Sequence, residues 1–420
     1  MANSNIKLTV SNGYRKTTLP NGLRIVTEDM PSVRSLSIGV YYDTGSRDEP
    51  EDLSGISHFL EHMNFKGTKR RSAAAIARAI EGRGGHLNAF TSKESTCFYA
   101  HIVQDQLPVA VDVLLDMTAH SLYDSDEVNR ERGVILEELK NVEDTPDDIV
   151  FEHFMAQVYR GHPLERPVLG TREALARIDH SALIAYRDRH YLNGRTVIVA
   201  AGRIDHDWLV QLVQRRIGGG ADNGLPPRAT PPPPNETTSR QDLKTTTQQT
   251  HIVIGCRSFR YQDERKYALL VLNTILGGGM SSRLFQRVRE RHGLAYSVYS
   301  FNDTYEDTGV FGVYAGTEPK RAEKALRLIQ REIDDLTARP VSKRELNFNK
   351  DQLKGSLLLS LESPTSRMQR IAKMEIYTGR MYSLDEVTLR IEGVTADDVQ
   401  AVARTLFLDQ PMLTTTLRPN

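Results

Sequence analysis

The sequence predicts an α+β protein built as two similar domains, and three observations carry that expectation. First, a stretch rich in glycine and proline cuts the 420-residue chain near its middle. From Gly218 to Glu236 it holds three consecutive glycines and Pro226, Pro227, Pro231, Pro232, Pro233 and Pro234, which excludes helix and central strand and favours a stiff, extended connection. Second, the flanking segments repeat at an offset of 216 positions. Ser37-Ile38-Gly39-Val40 matches Val253-Ile254-Gly255-Cys256, and Ile178 through Ala182 leading to Thr196-Val197-Ile198 matches Val394 through Asp398 leading to Met412-Leu413-Thr414. Third, both halves mix long helical periods with β-branched runs, and each ends on an acidic-capped helix followed by a strand. The expected boundaries are a first domain over 1–220, a linker over 221–236 and a second domain over 237–420. A chain of this length exceeds what one hydrophobic core usually serves.

Composition narrows the function classes. Lys+Arg and Asp+Glu are both 54, so bulk charge favours neither nucleic acid nor an anionic membrane as partner. No apolar run is long enough to span a bilayer. Met1-Ala2-Asn3-Ser4-Asn5 shows no basic stretch followed by an apolar one, so a cytoplasmic location is expected. Cys97 and Cys256 are the two cysteines; neither belongs to a C-x-x-C pair, and both read as small core residues.

The segment richest in chemistry is His58-Phe59-Leu60-Glu61-His62. Two histidines four apart lie one helical turn apart on one face and can share a divalent ion. Ile56, Phe59, Leu60 and Met63 repeat at i, i+3, i+4, i+7, so the apolar stripe points away from His58, Glu61 and His62. One face then serves as core and the other as a metal site of the H-x-x-E-H type. At the offset of 216 the two histidines fall on Thr274 and Gly278, so only the first half can bind the ion.

A catalytic zinc needs three protein ligands and leaves a fourth position open. Glu131-Arg132-Gly133-Val134-Ile135-Leu136-Glu137-Glu138 offers a carboxylate. It follows Ser125-Asp126, an expected N-cap, and reads as helix through about Val142. Glu131 and Glu138 are seven apart and share a face, whereas Glu137 points elsewhere; spacing alone favours an acidic solvated face over a ligand. After Gly84-Gly85, the run from His86 to Thr96 is rich in strand formers. In the second half a helix expected from Ser281 towards Arg291 breaks at Gly293 into the strand-like Leu294-Ala295-Tyr296-Ser297-Val298. Taken alone, Arg291 reads as a surface charge and Tyr296 as a core aromatic.

Together these elements resemble the pitrilysin family of zinc peptidases, in the branch of mitochondrial processing peptidase and its short bacterial relatives. That family pairs H-x-x-E-H with a distant glutamate and a second glutamate ahead of it; here Glu138 stands 76 positions after His62, and Glu131 seven before Glu138. The resemblance spans essentially the whole chain. It implies a mostly antiparallel sheet packed with helices in each domain. It implies one zinc per chain held by His58, His62 and Glu138, with Glu61 as general base and Glu131 as a supporting carboxylate of the catalytic set. His86-Leu87-Asn88-Ala89-Phe90-Thr91 is similar to the family's Asn-Ala-x-Thr edge strand, so Asn88 and Ala89 would meet the peptide through strand addition. Arg291 and Tyr296 match the family's R-x-x-x-x-Y element, where Arg291 would hold a substrate carbonyl and Tyr296 the oxyanion.

The expected activity is zinc-dependent endopeptidase cleavage of unfolded peptides or short polypeptides. The chain carries both the zinc set and the Arg/Tyr set, so a homodimer is the simplest expected assembly; a heterodimer with a degenerate homologue is the alternative. Two other readings stand beside it: the catalytic subunit of a heterodimeric presequence-processing peptidase, and a non-catalytic scaffold. Gly277-Gly278-Gly279 is far shorter than the glycine-rich loop of the processing peptidase's non-catalytic subunit, which argues against presequence recognition. The complete H-x-x-E-H argues against the scaffold.

Overall fold

A computed structural model describes residues 7–11, 13–217, 228, 235 and 237–420. The linker expected over 221–236 lies outside these residues except at Arg228 and Asn235, and so does the Met1–Asn5 stretch. The described chain forms two compact units, each an α+β arrangement around one sheet.

The first unit is built on seven strands: β1 (Lys7–Ser11), β2 (Tyr14–Thr18), β3 (Arg24–Asp29), β4 (Ser35–Tyr42), β5 (His86–Thr91), β6 (Thr96–Val103) and β7 (Thr196–Gly202). Their order is β1-β2-β3-β7-β4-β6-β5, antiparallel throughout except for the parallel β3/β7 pair. The second unit holds β8 (Ser239–Thr245), β9 (Thr250–Ser258), β10 (Ala295–Thr304), β11 (Gly309–Thr317) and β12 (Leu413–Pro419). Their order is β10-β11-β9-β12-β8, with only β12/β8 parallel. Set side by side, β3-β7-β4-β6-β5 and β8-β12-β9-β11-β10 are one topology used twice, so the repeat read from the sequence is a repeat of fold.

Both faces of each sheet are covered, which is why β7 and β9 read as nearly unbroken apolar runs. In the first unit Ile38, Val40, Phe98, Ala100, Ile198 and Ala200 pack against the helix Leu107–Ala119 and its neighbours. The opposite face, with Val26, Tyr41, Cys97, Val197 and Val199, is covered by Met368, Ile371 and Ala372 of the helix Pro364–Thr378. In the second unit Ile254, Cys256, Phe311 and Val313 pack against the helices Lys266–Gly277, Ala322–Ala338 and Ala396–Phe407. Val253, Val310, Leu413 and Leu417 pack against Val150, Phe154 and Val158 of the helix Pro146–Val158.

The units are therefore not the contiguous halves expected from sequence. Lys140–Glu165 belongs to the second unit and Ser360–Met381 to the first. The two exchanged helices begin at Pro146 and Pro364, close to the repeat offset, so each half gives up the equivalent helix. Periodicity marks such a helix as one-sided but does not say which sheet receives it.

The matched glycines of the repeat have a packing role here. A Cβ at Gly39 would stand 3.1 Å from Met368 Sδ, and one at Gly255 would stand 3.0 Å from the Phe154 ring, so in each unit a glycine lets the exchanged helix close on the sheet. Both cysteines are buried and unpaired. Among the described residues no helix is long and apolar enough to cross a membrane.

Candidate metal centre

His58, Glu61 and His62 stand on the helix Ile56–Asn64, whose Ile56, Phe59, Leu60 and Met63 are fully buried, as the period requires. The helix enters at Gly55, whose φ of +95° is left-handed; a Cβ there would lie 2.6 Å from the Leu169 carbonyl oxygen. Its first free N–H groups are taken by Glu49, which accepts from Gly55 N at 2.7 Å and Ser57 N at 2.8 Å. Burial pushes the Glu49 carboxyl up to about 8 against those bonds.

The second helix of the site is Ser125–Glu143. Its cap is Asp124, one residue before the expected Ser125-Asp126: Asp124 Oδ1 accepts from the N–H groups of Asp126 and Glu127 at 3.0 and 3.3 Å. Val128, Ile135 and Leu139 pack in the same cluster as Ile56, Phe59, Leu60 and Met63. That shared core holds the two helices together and turns the stripe bearing Glu131 and Glu138 inward, while Glu137 is exposed. Tyr123, just ahead of the cap, has a φ of +51° and donates its hydroxyl to Asn64 Oδ1 at 2.9 Å. The end of the first helix is thereby pinned to the start of the second.

The three expected ligands converge. One donor atom each from His58, His62 and Glu138 lies within 4.8 Å of the others. Glu138 Oε2 is 3.8 Å from His58 Nε2 and 3.6 Å from His62 Nε2, too long for hydrogen bonds. Ligands about 2.1 Å from a tetrahedral zinc stand about 3.4 Å apart, so these separations fit the edges of a metal's coordination polyhedron. Burial, aided by the nearby His62, lowers the His58 pKa to about 3, which keeps its ring neutral and a lone pair free. His58 Nδ1 is buried with no hydrogen-bond partner among the described residues.

Glu61 stands beside this triangle rather than in it. Its carboxylate is buried and Oε2 accepts a hydrogen bond from Thr91 Oγ1 at 2.6 Å. Burial raises its pKa, the Thr91 bond and His62 oppose the rise, and Glu138 adds to it. Glu131, 5% exposed, places Oε1 2.8 Å from His62 Nδ1 and Oε2 2.5 Å from Lys66 Nζ. The carboxylate is thus placed to accept a hydrogen bond from Nδ1–H, the tautomer that leaves the Nε2 lone pair facing Glu138.

Asn88 and Ala89 lie on β5, the edge strand of the same sheet; Asn88 is exposed, and its Oδ1 accepts from Ala89 N at 2.8 Å. Arg291 and Tyr296 belong to the second unit. The helix expected there is π-helical over Phe285–Arg291. The β10/β11 register shifts between Ala295 and Ser297, so Tyr296 bulges outward and is 78% exposed, not a core aromatic. The guanidinium over its ring, at 4.9 Å, is that of Arg289; Arg291 is exposed.

Sequence reading assigned no role to Lys66 or Glu49, and placed Thr91 only as the last residue of the Asn-Ala-x-Thr strand, with no link to Glu61. Lys66 follows His62 by one helical turn, a spacing visible in the sequence. The contacts of Thr91 with Glu61 and of Glu49 with Gly55 and Ser57 arise only through the tertiary fold.

A sheet-and-helix unit that brings two imidazoles and a carboxylate together, with a separate buried glutamate beside them, offers a candidate metal centre. The chain belongs to peptidase family M16. The family's insulinase model matches residues 24–172, and its inactive-domain model matches residues 177–353. An uncharacterized zinc protease of Streptomyces coelicolor is 42% identical over 95% of this chain and 88% of its own length. One of Bacillus subtilis is 43% identical over 94% of this chain and 96% of its own. The crystal structure of a protease from Helicobacter pylori shares the fold, with a TM-score of 0.92 at 22% identity, covering 97% of this chain and 99% of that one.

Proposed function

We propose that this chain is a zinc-dependent endopeptidase acting on unfolded peptides and short polypeptides, with one zinc per chain held by His58, His62 and Glu138. The observation that carries the reading is the pair of Nε2 atoms set 3.8 and 3.6 Å from Glu138 Oε2, with Glu61 beside this triangle and outside it. The names of the relatives, zinc proteases, support it.

Zinc supplies Lewis acidity, making water nucleophilic near neutral pH and polarising a peptide carbonyl. Glu61 takes the proton from the attacking water and returns it to the leaving amine; a carboxyl whose pKa burial has raised suits both steps. Glu131 holds His62 in the ligating tautomer. The free edge of β5, with Asn88 and Ala89, receives the substrate as an added strand and orients it by backbone bonds, which asks little of its sequence. The resemblance adds Arg291 and Tyr296 as substrate-binding groups, and the exposed Tyr296 hydroxyl is free to serve. A homodimer is the assembly this reading favours over a heterodimer with a degenerate homologue.

The test is digestion of a mixed peptide pool by zinc-loaded protein, with and without a chelator, alongside native mass and zinc content per chain. Broad, chelator-sensitive cleavage is expected. Cleavage confined to a narrow motif favours presequence processing, and no cleavage by fully loaded protein overturns the reading.

A further inference from the structure

We propose that Thr91 is a positioning residue for Glu61: its hydroxyl holds the carboxylate so that the strand receiving the peptide also aims the base. This rests on the reading of Glu61 as general base. Thr91 is the last residue of β5, and strand alternation places it on the same face as Leu87 and Ala89, opposite Asn88 and Phe90. Leu87 and Ala89 pack into the core beneath that face, and Phe90 packs into the core of the other. Thr91, the polar member of the inward-facing set, spends its donor on Glu61 Oε2 at 2.6 Å.

The bond has a geometric consequence. A carboxylate on a three-bond side chain has a broad terminal torsion, and the hydrogen bond found for it among the described residues comes from Thr91, outside the helix Ile56–Asn64. One short bond to Oε2 fixes that torsion and leaves Oε1 to meet water. The donor is anchored by the β5/β6 ladder, where Thr91 pairs with Thr96, so it is a rigid reference and not a mobile side chain. Its backbone belongs to the strand whose outer edge is open. Substrate register and base orientation therefore share one element, and misplacing a reacting group by about 1 Å costs on the order of 100-fold in rate.

The experiment compares Thr91→Val, which keeps the branched shape and loses the donor, with Thr91→Ser, which keeps the donor. Full-length, zinc-loaded protein is assayed on a fluorogenic peptide, with zinc content, thermal midpoint and a crystal structure of each variant. Thr91→Val is expected to lower kcat about 10- to 100-fold, with KM, zinc content and midpoint unchanged and the Glu61 carboxylate rotated or split between orientations. Thr91→Ser is expected to recover most of kcat. An unchanged kcat in Thr91→Val, a rise in KM alone, loss of zinc, failure of the serine to rescue, or an unmoved Glu61 carboxylate each overturns the proposal. Wild-type protein that holds zinc and cleaves nothing would instead overturn the endopeptidase reading, and the carboxylate's orientation would still decide the role of Thr91.

Discussion

Glu131 Oε1 lies 2.8 Å from His62 Nδ1, and the same carboxylate's other oxygen lies 2.5 Å from Lys66 Nζ. The imidazole proposed as a ligand is thus braced by a buried carboxylate that is itself paired with an ammonium. Removing such a brace typically lowers metal affinity about 10- to 100-fold. Glu131→Gln should weaken zinc binding by that order in competition with a chromophoric chelator, and Lys66→Met by less. Affinity matching the wild type in Glu131→Gln would leave the carboxylate without a role in metal binding.

Glu61→Gln is expected to retain zinc and to lose about 100- to 10,000-fold in kcat, the usual contribution of a general base. The amide oxygen can still accept from Thr91, so the local fold is kept. Zinc content measured with turnover decides the matter: loss of metal together with activity would argue against a pure base role.

Tyr296→Phe separates ring from hydroxyl. The side chain is 78% exposed, so its removal should leave the thermal midpoint unchanged. If the hydroxyl stabilises an oxyanion, kcat should fall by up to about 100-fold with KM little altered. Unaltered turnover would withdraw Tyr296 from the reaction.

His206 makes stability depend on pH. Its ring is buried between Thr17 Oγ1, 2.8 Å from Nε2, and Thr27 Oγ1, 2.8 Å from Nδ1. Burial, with a smaller push from Arg15, lowers its pKa to about 4. The unfolded chain takes up this proton near pH 6.5 and the folded chain only near 4, so the unfolded state gains as the pH falls between them. The stabilisation is whole above pH 6.5 and is lost towards pH 4, by up to about 3 kcal/mol. Urea midpoints taken from pH 7 to pH 4.5 should fall less steeply in His206→Gln than in the wild type, and parallel slopes would refute the assignment.

Gly255→Ala should destabilise the second unit. The added Cβ would stand 2.1 Å from the Phe311 carbonyl oxygen and 3.0 Å from the Phe154 ring. Backbone cannot yield as a side-chain tip can, and overpacking of this kind costs about 1–3 kcal/mol. A denaturation midpoint unchanged from wild type would show that the sheet absorbs the methyl group.

Much of the site is legible in the sequence because helical period is local. The i, i+3, i+4, i+7 stripe of Ile56, Phe59, Leu60 and Met63 decides where His58, Glu61 and His62 point. The seven-residue spacing of Glu131 and Glu138 puts both on one stripe of their own helix. The offset of 216 positions shows a repeated fold, and Gly39 and Gly255 mark its matching strands. None of these depends on knowing what lies across the fold.

Partnership between distant segments is another matter. The helices Pro146–Val158 and Pro364–Thr378 each carry an apolar face, but a face specifies only that something apolar covers it. Closure entropy grows slowly with loop length, so a helix reaching a distant sheet loses little relative to one packing nearby. Which sheet wins is set by fit: Met368 over Gly39, Phe154 over Gly255. The Thr91 bond to Glu61 and the Glu49 cap at Gly55 and Ser57 arise in the same way. The sequence by itself determined the helix faces, the candidate ligands and the duplication, because those follow from spacing along one chain. Tertiary structure alone decided the exchanged helices, the Thr91 bond to Glu61 and the Glu49 cap, because those follow from shape and hydrogen-bond complementarity between segments that spacing does not relate.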